Sequence, residues 1–232
     1  MRIWDLSPGY LNRQSLLGEH RELHGIYSIL TTGKRGYARH PETLRWVDAL
    51  DGLVCRHQQL MAEMKLRGFT DRTPLAAWAS APAWPSSFVT EPGRQILLLR
   101  AKYVHREKGR IPLPRNCEQL WAQHKYSVMA RSLEEYRRCG RWANRRRSSA
   151  EFAGFAKDLV LILRLRPDPG GLANAVEHLW GYVRSAATAE DVAAAKRDPR
   201  EMFARIQKIA MLRRERYLMS STALSDFAIF LV

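Results

Sequence analysis

The chain has 232 residues, of which 46% are hydrophobic and 26% are charged, a composition that excludes a disordered or fibrous protein. It carries 38 Lys and Arg against 23 Asp and Glu, and the resulting net charge of +15 favours a polyanionic partner: DNA, RNA or an anionic membrane surface. The sequence contains neither an apolar run of about 18 residues nor a secretory signal, so we expect a cytoplasmic protein with no membrane partner, associated with the nucleoid where the polyanion is DNA.

The pattern along the chain predicts helices that are separated by proline and glycine breaks. Two helix starts carry proline in the first turn, Ser7-Pro8 and His40-Pro41, and the second of these helices ends at Gly68. The predicted helices cover about residues 8–30, 41–67, 92–107, 116–144, 149–164, 171–187 and 199–217. The proline-containing basic segment 108–115 marks a domain boundary. We therefore predict an all-α protein with two helical domains, residues 1–115 and 116–232.

The first predicted helix has two contrasting faces when residues 8–30 are placed at about 100° per residue. Its expected core stripe consists of Leu16, His20, Leu23, Tyr27 and Leu30. The opposite face contains Gln14, Gly18, Arg21 and Gly25, with Glu22 at its edge. A glycine on an exposed helix face costs about 1 kcal/mol relative to alanine. Two explanations for glycine at these positions are close packing of another helix and close approach of a ligand or DNA backbone, since each leaves no room for a Cβ atom.

Three segments near the N-terminus carry a family resemblance: residues 1–6 (MRIWDL), 11–23 (LNRQSLLGEHREL) and 33–35 (GKR). They resemble the phage-type pyrimidine-dimer DNA glycosylases, also called endonuclease V, and the resemblance extends over about the first half of the chain. It implies a small multi-helix bundle with the N-terminus at the active site. It also implies that the chain's α-amine attacks the sugar C1′ of a damaged nucleotide, expels the base, forms a Schiff base and cuts the strand by β-elimination.

The resemblance assigns roles to individual residues of this sequence. Met1 supplies the nucleophilic amine, because it takes the place of the family's processed threonine and the bulk of Arg2 blocks removal of methionine. An α-amine has a reference pKa of about 7.7–8.0, so a useful fraction is neutral near pH 7. Glu22 stabilises the cationic sugar intermediate and assists proton transfer. The residues expected to contact DNA are Arg2, Gln14, Gly18, Arg21, Lys34 and Arg35.

The sequence departs from the family pattern at several places. Ser15 stands where the family often has histidine, and Gly25 lies near the position of a family arginine. The aromatic C-terminal segment of the family has no clear counterpart. These departures bear on the choice of lesion, and they also leave open a protein that binds nucleic acid without catalysis.

The second half resembles a helical domain of unknown function known from YbgA-type proteins, to about residue 215. The resemblance rests on His124-Lys125-Tyr126, Met129-Ala130, Tyr136-Arg137, Gly140-Arg141, Asn174, His178, Gly181 and Tyr182. One interpretation is a second site formed by His124, Lys125, Tyr126 and His178. The other interpretation makes them hydrogen-bonded packing residues between helices. Because relatives of this domain are linked to thiolated-base metabolism, an RNA-directed function carried by this half also stays open.

A basic run follows in the same half, with Arg137, Arg138, Arg141 and the three arginines at 145–147. Arg137 and Arg141 are candidate DNA contacts, and Trp142 among them is a candidate for stacking on a base or ribose. The alternative is a solvated basic face with one core-facing tryptophan.

No histidine and carboxylate set has convincing metal-ligand spacing, and Cys55, Cys117 and Cys139 show no CxxC pattern, so we expect neither a metal nor a cofactor. The function favoured by the sequence is a DNA repair glycosylase with abasic-site lyase activity on pyrimidine dimers or a related lesion. Its expected partner is damaged double-stranded DNA.

Overall fold

The computed structural model describes residues 1–75, 82–144 and 148–231. Within these ranges the protein consists of helices and connecting segments without a strand, which confirms the predicted all-α class. None of the helices in these ranges is long and apolar enough to cross a membrane.

The α-helices fall into two runs along the chain. The first run contains α1 (Arg13–Thr32), α2 (Pro41–Leu44), α3 (Leu50–Leu66) and α4 (Pro92–Lys102). The second contains α5 (Cys117–Met129), α6 (Leu133–Ala143), α7 (Ser149–Arg164), α8 (Pro169–Val183), α9 (Ala189–Ala195), α10 (Pro199–Arg213), α11 (Arg216–Met219) and α12 (Ala223–Asp226). Turns of 3-10 helix lie at Pro8–Tyr10, Gly36–Arg39, Arg184–Ala186 and Phe227–Ile229.

The first long helix begins later than the sequence predicted. Ser7 and Pro8 do start a capped element, but it is a single 3-10 turn that ends in the extended residue Leu11 (φ −80°, ψ 132°). Helix α1 begins after Asn12, whose side-chain oxygen accepts a hydrogen bond from the Ser15 N–H at 2.8 Å. Tyr10 and Leu11 are fully buried, so the packing of these two side chains overrides local helix propensity.

Two of the predicted helices are each divided by a tertiary contact or a local break. The helix predicted over 41–67 is interrupted at Ala49, which leaves the helical conformation (φ −136°, ψ 37°) and separates α2 from α3. The helix predicted over 116–144 is divided into α5 and α6. Arg131 in the intervening turn donates to the Asp226 carboxylate at 2.7 Å, and the Ser132 side chain caps α6 by accepting from the Glu135 N–H. A buried arginine must be paired, and this turn allows Arg131 to reach its partner.

Two apolar clusters form the core of the molecule. The first contains buried side chains from Ile3 to Ile162, so it draws on residues from both sides of the predicted boundary at 115. The second extends from Tyr126 to Phe227. Helix α5 contributes to both clusters, because Trp121 packs in the first and Tyr126 in the second.

A buried ion-pair network also joins the two halves of the chain. The Glu63 carboxylate of α3 accepts from Arg67 and from Arg110, each at 2.7 Å. Arg110, which belongs to the predicted boundary segment, also donates to the backbone carbonyls of Met219 at 2.9 Å and Ser221 at 3.1 Å. The guanidinium of Arg110 therefore fixes the end of α3 to the segment between α11 and α12.

Candidate functional site

The first residues of the chain lie along α1 and are fixed to it by two glutamates. The backbone N–H of Arg2 donates to a carboxylate oxygen of Glu22. The backbone N–H of Trp4 donates to Oε1 of Glu19 at 3.2 Å. Helix α1 thus presents two carboxylates, one turn apart, to the N-terminal segment.

Glu19 is the buried member of this pair, and Arg56 of α3 neutralises it. The Arg56 guanidinium makes two contacts with the Glu19 carboxylate, at 2.8 and 3.1 Å. It also donates to the backbone carbonyl of Leu6 at 2.8 Å. Burial raises the pKa of Glu19 to about 7, and Arg56 opposes that rise. Glu19 was not among the residues predicted from the sequence, because its burial depends on an arginine from another helix.

Asp5 anchors the same segment from the other side. Its carboxylate accepts from Arg45 at 3.1 Å, from Arg164 at 2.8 Å and from the Gln95 amide at 2.8 Å. Arg164 belongs to α7, so the second half of the chain takes part in positioning the N-terminus.

An open cleft of about 380 Å³ lies beside this segment. Its lining includes Arg2, Trp4, Gln14, Gly18, Glu22 and Lys102. Backbone nitrogens of consecutive residues lie at most about 3.7 Å apart, so the α-amino group of Met1 lies within about 7 Å of the Glu22 carboxylate. The cleft combines the carboxylates of Glu19 and Glu22 with the positive side chains of Arg2 and Lys102, so a phosphate contact and a proton-transfer group lie side by side.

The cleft unites several of the residues that the sequence singled out and adds others. Gln14, Gly18 and Glu22, from the face of α1 that the helical wheel predicted, line it together with Arg2. Arg21 and Gly25 of that predicted face do not line it. Trp4 and Lys102 also line it but were not predicted. The sequence signal for Lys102 is only its place near the basic end of a predicted helix, which does not reveal which helix it faces.

The expected core stripe of α1 is wrong in part. Leu16 and Leu23 are buried, but His20, Tyr27 and Leu30 are only partly so. The other buried residues of the helix are Ser15, Glu19 and Ile26. The buried face is rotated toward Glu19 because the pairing with Arg56 makes a carboxylate part of the interior.

Gly18 and Gly25 both face open space on α1. An added Cβ at either position meets no described atom within 4 Å. Close packing of another helix, one of the two explanations weighed above, is therefore not found at these positions in the described part of the chain.

We expect Gly18→Ala and Gly25→Ala each to raise the free energy of unfolding by about 1 kcal/mol, because alanine restricts the unfolded chain and fits without a clash. Urea unfolding of the isolated protein measures this gain. Gly93→Ala is the contrasting variant, since its Cβ would lie 2.6 Å from the backbone of Ala153 and should destabilise. Destabilisation by Gly18→Ala would show that the face is not open.

The other DNA contacts predicted in the first half of the chain, on α1 and just after it, lie outside the cleft. Arg21 is exposed next to Glu22. Lys34 and Arg35 are exposed after Gly33, which ends α1 in the left-handed region (φ 67°). The chain turns at this glycine, and Lys34 Nζ donates to Ser28 Oγ at 2.9 Å, so this side chain folds back along the last turns of α1.

A histidine cluster lies on the other side of α1, about 200° around the helix axis from Gly18 and Glu22. It consists of His20 and His24 of α1, His57 of α3, and Asp71 of the segment that follows α3. One ligand-type atom from each of the four lies within 4.8 Å of the others. The sequence analysis did not predict this cluster, because its residues come from two helices and a loop and their positions along the chain show no metal-ligand spacing.

The cluster also has unusual electrostatics. Burial lowers the pKa of all three histidines, and that of His57 falls to about 4. Burial opposes ionisation of Asp71, but hydrogen bonds from Thr73 and the charge of His20 outweigh it and lower the Asp71 pKa. The imidazoles are therefore neutral and the carboxylate is ionised near pH 7.

The predicted second-domain residues separate into two groups. His124 is buried and its Nδ1 lies 2.8 Å from the Leu120 carbonyl, while its ring stacks near Tyr10 of the first half. Lys125 lies over the ring of Tyr126 at 4.9 Å, and Tyr126 stacks against His178 at 5.9 Å between ring centroids. No contact joins His124 to His178 among the described residues, so these four do not form one constellation there.

Burial lowers the pKa of His124 to about 4, which predicts a loss of stability in acid. The unfolded chain binds the proton below about pH 6.5 and the folded chain only near pH 4, so stability falls as pH decreases between these values. Between pH 7 and pH 5 this histidine should cost about 2 kcal/mol. Urea unfolding at both pH values measures this loss of unfolding free energy. The loss should be smaller by about 2 kcal/mol in His124→Gln and the same as in the wild type in His178→Gln, whose histidine is exposed. Equal acid loss in all three proteins would contradict the assignment.

The basic run of α6 is exposed only in part. Arg137, Arg138 and Arg141 are all exposed, and Arg138 pairs with Glu135 at 2.6 Å, whereas the tryptophan in the run faces inward. Trp142 packs on Phe155 with ring centroids 4.6 Å apart, as the core-facing alternative proposed. The arginines at 145–147 lie outside the described residues.

A larger basic cleft, of about 770 Å³, lies where the predicted boundary segment meets both halves. Its positive side chains are Arg100, Lys108, Arg115 and Arg216. The sequence marked this segment as a linker because it contains prolines and basic residues; the structure makes it the wall of a cleft.

Comparison with known families assigns the two parts of the chain separately. Residues 1–77 match the model of the family described as pyrimidine dimer DNA glycosylase, and residues 125–221 match that of a protein of unknown function, DUF1722. Searches of the curated proteins and of the solved structures found no match. Both resemblances drawn from the sequence are thereby confirmed, over these ranges.

Proposed function

We propose that this chain, which joins a pyrimidine dimer DNA glycosylase domain to a DUF1722 domain, is a DNA repair glycosylase with abasic-site lyase activity. The observation that carries the proposal is the hydrogen bond between the Arg2 backbone and Glu22, which keeps the start of the chain and a carboxylate together in one open cleft. A glycosylase that uses its own α-amine needs these two groups within reach of one sugar.

The proposed reaction begins with the α-amine of Met1. Its lone pair attacks C1′ of the damaged nucleotide, the bond from C1′ to the base breaks, and the base leaves as the sugar ring opens to a Schiff base. Removal of a C2′ proton then expels the 3′ phosphate, and hydrolysis of the Schiff base releases the amine.

Glu22 is proposed to act on charge and protons at C1′. As a carboxylate it stabilises the positive charge that develops on the sugar, and it can pass a proton to the ring oxygen as the ring opens. Its side chain is oriented by the Arg2 N–H, so it is already directed toward the start of the chain before substrate binds.

DNA recognition is proposed to depend on the positive groups around the cleft. Arg2 and Lys102 line it, and Arg21 is exposed beside Glu22. With a net charge of +15, binding should weaken steeply as salt increases. Access to C1′ requires a displaced nucleotide, and phosphate contacts on both sides of the lesion stabilise such a distorted duplex.

The test is covalent trapping with the untagged protein, after intact-mass analysis has established a free Met1 amine. Incubation with a dimer-containing duplex and borohydride should give a reduced protein–DNA adduct, and undamaged duplex should give none. Acetylation of the α-amine should abolish the adduct. Salt-dependent DNA binding without adduct or strand cleavage would overturn the proposal and would identify a non-catalytic nucleic-acid-binding protein.

A further inference from the structure

We propose that His20, His24, His57 and Asp71 bind one divalent transition-metal ion, with zinc as the best-fitting ion, and that this ion fixes α1 to α3 and to the segment after it. The proposal concerns a site outside the cleft and does not depend on the proposed glycosylase activity.

The spacing of the donor atoms fits a four-coordinate ion. Nε2 of His57 lies 3.1 Å from Nε2 of His24 and 3.7 Å from Oδ2 of Asp71, and Nε2 of His20 lies 3.3 Å from Oδ1 of Asp71. In a tetrahedral zinc site with metal–nitrogen bonds of about 2.0–2.1 Å, neighbouring donors are about 3.3 Å apart. With one donor atom from each residue, the four atoms lie within 4.8 Å of one another, so the widest pair must close by up to about 1.5 Å to share one ion.

The hydrogen-bonding state of these atoms also favours an ion. His20 Nε2 and Asp71 Oδ2 are buried and have no hydrogen-bond partner in the structure, although each lies near a polar neighbour. Buried polar atoms are normally satisfied, so these two unpaired atoms, which converge with the imidazole nitrogens of His24 and His57, are explained by a missing common partner. His24 Nε2 lies 3.1 Å from Thr73 Oγ1 and would exchange that contact for the ion. A cation supplies that partner for all of them at once.

The four side chains lie in a largely buried environment that orients them. The side chain of His57 is fully buried and that of Asp71 is 5% exposed. The backbone N–H of Thr73 donates to Asp71 Oδ1 at 2.9 Å and orients the carboxylate, as outer partners of metal ligands commonly do. Three imidazoles and one carboxylate form a donor set that suits zinc, and four protein ligands indicate a structural ion without an open coordination position.

Binding of an ion at this site would connect two helices that also hold the N-terminal segment. His20 and His24 lie on the helix that carries Glu22, while His57 is adjacent to Arg56, the partner of Glu19. An ion at this point would therefore fix the relative position of the two helices that hold the N-terminal segment.

The experiment uses the full-length protein without a histidine tag, freed of metal by a chelator and titrated with Zn²⁺ against a chromophoric competitor. We expect one equivalent per chain. His24→Asn and Asp71→Asn should weaken binding at least about 100-fold, since each removes a ligand. His105→Asn is the matched control, because His105 is exposed and its backbone (φ 59°) suits asparagine, and it should bind like the wild type.

Two further readouts distinguish a specific site from adventitious binding. Zn²⁺ at 100 times its dissociation constant should raise the Tm of the wild type and of His105→Asn by about 5–10 °C, and that of His24→Asn by much less. Co²⁺ should give the visible spectrum of a four-coordinate ion in the same two proteins. Circular dichroism of the metal-free variants checks that they fold. Failure of the wild type to take up one equivalent, or equal affinity in His24→Asn and wild type, would overturn the proposal.

Discussion

Replacing Glu22 with glutamine is expected to lower the rate of strand cleavage at a pyrimidine dimer by about 1,000-fold or more. Glutamine keeps the length of the side chain and an oxygen that can accept the Arg2 N–H, so the N-terminal segment should stay in place. What is lost is the negative charge and the proton-transfer group at C1′. Single-turnover cleavage and borohydride trapping of dimer-containing duplex measure the effect.

The control for this variant is Glu177→Gln, which makes the same chemical change at an exposed position of α8. It should retain wild-type cleavage. Both variants should bind undamaged duplex as the wild type does, because neither removes a positive group. Full cleavage by Glu22→Gln would exclude the proposed role of this carboxylate. An equal loss of cleavage in both variants would attribute the effect to the change in the net charge of the protein.

The largest expected effect on stability comes from Glu63, the buried carboxylate between Arg67 and Arg110. Glu63→Gln should lower the free energy of unfolding by about 3–5 kcal/mol, because two buried guanidinium groups lose their counter-charge. For a chain of this size the Tm should fall by about 10 °C. Urea and thermal unfolding measure both quantities, with Glu177→Gln as the exposed control.

The acid dependence of unfolding provides a second check on Glu63. Burial raises the pKa of Glu63, but the charge and hydrogen bonds of Arg110 outweigh burial, and the net pKa lies below its usual value. A lowered carboxylate pKa contributes stability above the unfolded value of about 4.3, and this contribution disappears as pH falls through the folded value. Glu63→Gln should therefore show a smaller acid loss than the wild type. If the Tm of Glu63→Gln lay within about 2 °C of the wild-type Tm, the buried pairing of Glu63 with Arg67 and Arg110 would be contradicted.

The fold class and the chemistry of the first helix could be predicted because they depend on local signals. Proline at helix starts, the absence of strand alternation and the placement of Gln14, Gly18 and Glu22 on one helix face are all properties of short segments. The cleft at that face also needs Trp4 and Lys102 from other segments, which these local signals do not place. The same local rules misplaced the start of α1 and joined helices that are separate, because burial of Tyr10 and Leu11 and the pairing of Arg131 with Asp226 are contacts between distant segments.

The sequence by itself determined an all-helical basic protein, its two family regions and the pairing of an N-terminal amine with Glu22 as the hypothesis to test. Only the tertiary structure decided which charges are interior. Glu19 is buried because Arg56 comes from another helix, Asp5 is fixed by Arg164 from the second half, and the four-residue histidine cluster assembles from two helices and a loop. A charge can enter the interior only with a partner, and partners far apart along the chain leave no periodic pattern in the sequence.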